Sequence, residues 1–187
     1  KIWHQHYPEE VPATLEYPEA YLTDFLLESA REFPKRDAIQ FMGKRITYQE
    51  LLEDVYRFAH ALTELGVRKG DRVSIMLPNT PQAVIAYYGA LFAGAVVVQT
   101  NPMYMERELK HQLSDSGAET IICVDLVFDK VKKVMDETPL KRVIVTSIKD
   151  YLPFPKNLLY PLKMIKEGHH VDISYGGNIH RFSDLIR

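Results

Sequence analysis

Apolar residues along this chain recur either once per helical turn or in short unbroken runs, and the alternation between the two predicts its elements. From Thr47 to Gly66 the stretch TYQELLEDVYRFAHALTELG places Tyr48, Leu51, Leu52, Val55, Phe58, Ala59, Leu62 and Leu65 on one face of a helix. Thr47 and Glu50 form a capping-box pattern, and Gly66 stands where a left-handed C-terminal residue is wanted. Upstream, YLTDFLLESAREFP predicts a short helix, with Thr23 as N-cap and Leu22 and Leu27 as a hydrophobic staple. AIQFMGKRIT predicts two short strands turning about Gly43.

A regular alternation follows. RVSIML, AVVVQT, TIICV and RVIVTS predict strands. Between them lie helical stretches. TPQAVIAYYGALFAG has Thr80 as cap, Pro81 in its first turn and Gly94 at its end; MERELKHQLSDSG is closed by Gly117; LVFDKVKKVMDE has Asp125 as its cap. A helix between successive strands supplies a crossover, so the strands are expected to pair in parallel. Their near-continuous apolar character predicts burial on both faces. The expected fold class is α/β: a mostly parallel sheet flanked by helices, with an N-terminal arm and a small hairpin.

Residues 1–20, rich in Pro, Glu and Tyr, read as an arm on the surface; residues 21–147 read as the α/β unit; residues 148–187 read as an irregular connecting segment. In that last segment YLPFPKNLLYPLKMIK holds one irregular helix near 158–166 and mixes Tyr, Phe and Leu with three lysines. Such a segment suits either a bilayer interface or packing against another domain. The uncharged run from Ala83 to Val98 is shorter than the ~20 residues of a spanning helix. Gly94 divides it, so it reads as a buried helix feeding a buried strand.

Composition narrows the functional classes. The net charge of -2 offers no electrostatic footprint for nucleic acid. The single cysteine, Cys123, excludes an internal disulfide and favours a reducing compartment. KIWHQHYPEE lacks the apolar core of a signal peptide, and its opening Lys suggests a missing start residue or tag.

The motif search is largely negative. The strand-to-helix turns LPNTPQ, TNPMYMER and VDLVF lack the glycines that let a backbone approach pyrophosphate. There is no G-x-x-x-x-G-K-[ST], no H-E-x-x-H, no G-x-S-x-G and no Cys pair. His4 with His6, and His169 with His170, are weak metal candidates beside the plainer reading of surface residues. YGGN at 175–178 reads as a turn.

An ordered series of motifs carries a family resemblance across almost the whole chain. ITYQELL resembles the first core motif of the adenylate-forming enzymes, and GALFAGAVVVQTNP resembles the second. NPMYMERELKHQLSDSGAETII, HYPEEVP and RVIVTSIKDYLPFPK are similar to bacterial long-chain fatty-acid–CoA ligases. Related proteins usually place Thr where this chain has Met105, which cannot cap the following helix as a hydroxyl does. The loss is worth roughly 1 kcal/mol, so another group is expected to compensate.

The resemblance implies a long-chain fatty acid, ATP and coenzyme A as substrates, Mg²⁺ on the phosphates, and a cytoplasmic enzyme, with peripheral contact at the inner face of the membrane left open. It also implies that the nucleotide-gripping motifs follow FSDLIR in the family's order. The chain is then an N-terminal scaffold portion with no catalytic residue of its own, inactive alone and prone to self-association through exposed sheet edges. The stretch around Asn101 is expected to be a corner of that scaffold. In related ligases such a corner approaches the coenzyme A nucleotide, which makes Asn101 and Tyr104 candidate contacts. Lys130, Lys132 and Lys133 could meet its phosphates or form a solvated helix face. Two alternatives stand beside this reading: another acid–thiol ligase, such as an aryl-CoA ligase, and a free-standing interaction domain.

Overall fold

A computed structural model of the chain describes residues 1–168 and 172–187, so the His169 and His170 pair lies outside the described residues. After a 3-10 turn at Ile2–His6, the helices are α1 (Leu22–Glu32), α2 (Tyr48–Glu64), α3 (Pro81–Phe92), α4 (Glu106–Ser116), α5 (Phe128–Met135), α6 (Lys156–Lys166) and α7 (Phe182–Leu185). The strands are β1 (Asp37–Phe41), β2 (Lys44–Thr47), β3 (Arg72–Met76), β4 (Val96–Gln99), β5 (Thr120–Val124), β6 (Arg142–Thr146) and β7 (Ile179–Arg181). β1 and β2 form the expected hairpin, turning through Met42 and Gly43, both at positive φ.

The other strands form one parallel sheet in the order β4-β3-β5-β6-β7. Helices α1, α2 and α3 pack against one another, and α4 packs against α5. The crossover from β3 runs one way across the sheet and those from β4 and β5 run the other. The direction thus reverses between β3 and β5, and in open α/β sheets such a switch point at the C-terminal ends is where ligands ordinarily bind. Strands β5 and β6 are buried almost throughout, as their apolar runs predict.

Two sheet expectations change. β4 is not a buried strand: among the described residues it pairs only with β3, at the edge of the sheet, and Val96 is half exposed. An apolar run does not record how many neighbours a strand has. The sheet also gains a fifth strand, β7, from residues whose pattern is polar and short. It pairs with β6, with Val143 opposite Ile179. The chain then turns Phe182 inward, where its ring meets Phe58 at 4.6 Å between centroids. From the segment read as irregular, Tyr151, Leu152 and Phe182 are therefore buried.

Helix ends show how local chemistry sets the elements. Thr47 Oγ1 accepts the Glu50 N–H at 3.2 Å and Glu50 accepts the Thr47 N–H at 2.8 Å, completing the expected capping box. Other caps differ. α1 begins one residue before Thr23, and its N-cap is Tyr21, whose N–H is taken by Asp24 at 2.8 Å. Asp125 caps no α-helix. It accepts the N–H of the adjacent Leu126 at 2.9 Å and opens a 3-10 turn that precedes α5. At Met105 the side chain makes no cap bond, and Glu108 accepts the Met105 N–H at 2.9 Å. The Glu108 bond is half of a capping box and leaves the N3 donor without its side-chain acceptor.

The N-terminal edge of the sheet is stitched by two arginines. Arg72 donates to the carbonyls of Ser116 and Gly117, each at 3.1 Å. Arg142 donates to those of Leu65 at 2.5 Å and Gly66 at 3.3 Å. Both satisfy carbonyls left free at helix C-termini, where a cation is also favoured by the helix dipole. Among the described residues no helix is long and apolar enough to cross a membrane.

Candidate functional site

With its N-terminal edge committed to arginine stitches, the sheet presents its loops at the opposite, C-terminal edge. The corner after β4 is held from several sides. Thr100 donates its N–H to Ile75 O at 3.0 Å, and its buried hydroxyl meets that of Ser74 at 2.7 Å. Asn101 Oδ1 accepts the Met103 N–H at 2.9 Å, and its carbonyl accepts the Tyr104 N–H at 3.0 Å. Lys130 donates to Tyr104 O at 3.1 Å, and Lys133 reaches Glu106 at 2.7 Å. The Glu106 carboxylate raises the Lys133 pKa.

Asn101 and Tyr104 thus sit together, with Asn101 exposed and Tyr104 partly buried. Lys130 and Lys133 fasten α5 to this corner. Lys132 has no partner among the ion pairs and hydrogen bonds of the described residues and lies on the exposed side of α5. The Asn101 carboxamide is engaged in shaping the turn, as a scaffold corner requires.

Two hollows lie toward this edge. One, about 440 Å³, lies under α6 at the C-terminal ends of β5, β6 and β7, with Asp125, Ser147, Asp150, Tyr160, Tyr175 and Arg181 in its wall. Burial raises the pKa of Asp125, and likewise of Asp150, against the opposing Ser147 N–H at 3.3 Å. Arg181 lies over the Tyr175 ring at 4.3 Å from its centroid. The other hollow, about 460 Å³, lies between the hairpin and α3, lined by Phe41, Asn79, Tyr87 and Tyr88 among others.

Between the two, Gln82 ties the start of α3 to the end of β6. Its fully buried amide donates to Thr146 Oγ1 at 3.2 Å and Ser147 O at 2.9 Å. The sequence marks Asp125 as a helix cap and Tyr175 as part of a turn, and none of these groups as a site. Asp125, Asp150 and Arg181 are far apart along the chain. Only parallel pairing brings their strand ends to one edge.

Among the described residues, no three His, Cys, Asp or Glu side chains group together to hold a metal ion. Cys123 is fully buried, and burial raises its pKa far enough to keep it a thiol, so it is not a nucleophile. What the edge offers is polar and aromatic wall surface on a rigid sheet.

Comparison with known proteins gives the chain its relatives. The chain is 46% identical over all 187 residues to a long-chain-fatty-acid–CoA ligase of Bacillus subtilis, covering 33% of that protein. It is 40% identical over 171 residues to one from Yersinia pestis, covering 89% of the chain and 30% of the relative. A crystal structure of a long-chain-fatty-acid-CoA ligase from Archaeoglobus fulgidus superposes with a TM-score of 0.66 at 28% identity, over 74% of this chain and 30% of that one. The chain thus spans about a third of the length of these curated relatives. The sequence profile of the AMP-binding enzyme family matches residues 26–168. With that match and a fold shared with a solved ligase, the chain belongs to the AMP-binding enzyme family.

Proposed function

We propose that this chain is the N-terminal wall of a long-chain fatty-acid–CoA ligase and supplies no reacting group to it. The observation that carries the reading is the 46% identity, over all 187 residues, to a protein named as a ligase of that specificity. In such a reaction a fatty carboxylate oxygen attacks the α-phosphorus of ATP and pyrophosphate leaves. The coenzyme A sulfur then attacks the acyl carbonyl and AMP leaves. Mg²⁺ would neutralise phosphate charge. Among the described residues no group of three His, Cys, Asp or Glu side chains suits it, and no step is assigned to this chain through it.

The chain's own part is positional. Its arginine-stitched sheet holds the C-terminal edge rigid, so that loops there can serve as fixed walls. Asn101 and Tyr104, joined by the Tyr104 N–H to the Asn101 carbonyl, with Lys130 fastening Tyr104 to α5, form a corner suited to lie beside the coenzyme A nucleotide. The lone buried thiol supports a cytoplasmic setting. The exposed edge strand β4 supports self-association of this piece by itself.

Assay of the full-length protein with ATP, palmitate and coenzyme A tests the reading. Palmitoyl-CoA, AMP and pyrophosphate are expected from it, and nothing above blank from the 187-residue chain. Turnover by the chain alone refutes the wall reading, and preference for an aryl acid refutes the substrate class. Asn101→Ala in the full-length protein should raise KM for coenzyme A while leaving KM for ATP in place; equal effects on both would remove the corner from the coenzyme A site. Sedimentation of the chain at rising concentration checks self-association, and a monomer throughout refutes it.

A further inference from the structure

We propose that the hollow under α6 is a binding site for a small organic amine, with its ammonium held by Asp125 and Asp150 and its apolar body lying beneath the helix. The site is built where β5 and β6 end. Asp125 follows β5, Ser147 and Asp150 follow β6, and α6 closes the opposite side with Tyr160, Pro161 and Met164. At about 440 Å³ the hollow is within the range of small-molecule sites. Its wall includes neither Asn101 nor Tyr104, so the site is separate from the corner after β4.

The polar floor of the hollow is short of hydrogen-bond donors. Asp125 accepts the N–H of the adjacent Leu126 at 2.9 Å, and Asp150 accepts a long bond of 3.3 Å from the Ser147 N–H. Neither carboxylate forms an ion pair with a described residue. Asp150 is close enough to Asp125 to raise its pKa beyond the effect of burial. Beside them Ser147 is 8% exposed, and its buried hydroxyl makes no hydrogen bond. That hydroxyl is near enough to Asp125 to favour its charge, yet is not placed to close a bond with it. A buried polar group left without a partner is costly, and here it faces a cavity. Two carboxylates and a hydroxyl that all lack donors call for a ligand bringing N–H groups and positive charge.

Charge and shape narrow the ligand further. The described lining residues carry three carboxylates, Asp125, Asp150 and Asp172, against Lys149 and Arg181. Arg181 is taken up over the Tyr175 ring, and Lys149 is exposed. The balance is one negative charge, which matches a single ammonium. A metal ion fits less well, because no three His, Cys, Asp or Glu side chains group together among the described residues. Tyr160 lies near enough to Asp125 for the carboxylate to raise its pKa, so an ammonium held there also meets an aromatic ring. Pro161, Met164 and Ile173 give the rest of the ligand an apolar wall.

The test is a ligand-observed NMR titration of the full-length protein with phenethylamine, and its outcome does not depend on ligase activity. Phenethyl alcohol, which carries a hydroxyl in place of the ammonium, is the paired probe. The amine is expected to bind saturably, and the alcohol about tenfold more weakly, the factor that a hydrogen bond to a charged group carries. Asp125→Asn should weaken the amine about tenfold and leave the alcohol unchanged. Ser147→Ala removes only the unpartnered hydroxyl and should weaken the amine about fivefold without lowering the melting temperature. Absence of saturable amine binding overturns the proposal. Equal affinity for the two probes overturns it as well, since the hollow would then select only an apolar body. Amine affinity unchanged in either variant overturns it by placing the amine elsewhere in the protein. A carbodiimide cross-link from Asp125 to a lysine outside residues 1–187, formed in the amine-free protein, would also overturn it, because the protein would then fill the site itself.

Discussion

Gly89 lies where α3 meets α2, and replacing it with alanine should destabilise the chain although alanine is the better helix former. A Cβ at this position would stand 2.7 Å from Phe58 Cδ1 and 3.4 Å from Phe58 Cβ, whereas ordinary contact begins near 3.4 Å. The Phe58 ring has nowhere to retreat. It is fully buried and tilted against Phe182, itself 1% exposed. Overpacking of this kind costs about 1–3 kcal/mol, while the Gly-to-Ala change in a helix returns about 1 kcal/mol. The net expectation is a loss of about 1 kcal/mol, or a fall in Tm of about 2–4 °C for a chain of this size. Thermal unfolding followed by circular dichroism measures it. The decisive comparison is Gly89→Ala in a Phe58→Leu background, where the obstructing ring is gone. There the same substitution should turn stabilising, because only the helix-propensity gain remains. If Gly89→Ala raises Tm in the parent chain, or if its effect is the same in both backgrounds, the close approach of α2 and α3 is not what requires glycine.

The remaining predictions concern charges and caps. Asp54, Asp125 and Asp150 are held above the ordinary carboxylate value chiefly by burial, so the folded chain binds their protons more tightly than the unfolded chain. Their contribution to stability is full below about pH 4 and is lost as pH rises through their folded values, whereas Glu50, lowered by its capping bonds, acts in the opposite direction. Asp125→Asn should therefore flatten the part of that loss due to this site in melts across the acid range; an unchanged slope would refute burial as the cause. Met105→Thr supplies the hydroxyl that α4 lacks and should raise stability by about 0.5–1 kcal/mol in urea titration, with no gain counting against the open cap. Thr47→Ala breaks a completed capping box at α2 and should cost about 1 kcal/mol in the same titration; a neutral result would place the stability of α2 entirely in its buried face.

Much of this protein is legible in local pattern. The face running from Leu51 through Val55 and Phe58 to Leu62 declares α2, because a helical period needs no knowledge of what covers it. The runs TIICV and RVIVT declare strands for the same reason, and the helices between them imply parallel pairing. Capping chemistry was legible where donor and acceptor lie within one turn, as at Thr47 and Glu50. It failed at Thr23 and Asp125, where a suitable side chain stands near a helix start but the backbone begins its turn elsewhere.

Amino-acid order alone thus determined element type, the parallel α/β class and the family, all of which rest on periods and motifs read along the chain. Tertiary structure decided which strand is an edge, that polar Ile179–Arg181 joins the sheet, and that Phe182 locks onto Phe58. It also gathered Asp125, Asp150 and Arg181 around one hollow and brought Lys156 to the Met42 carbonyl. Those placements depend on strand order and on chain segments meeting across long separations, and a residue's own neighbours in sequence carry no record of them.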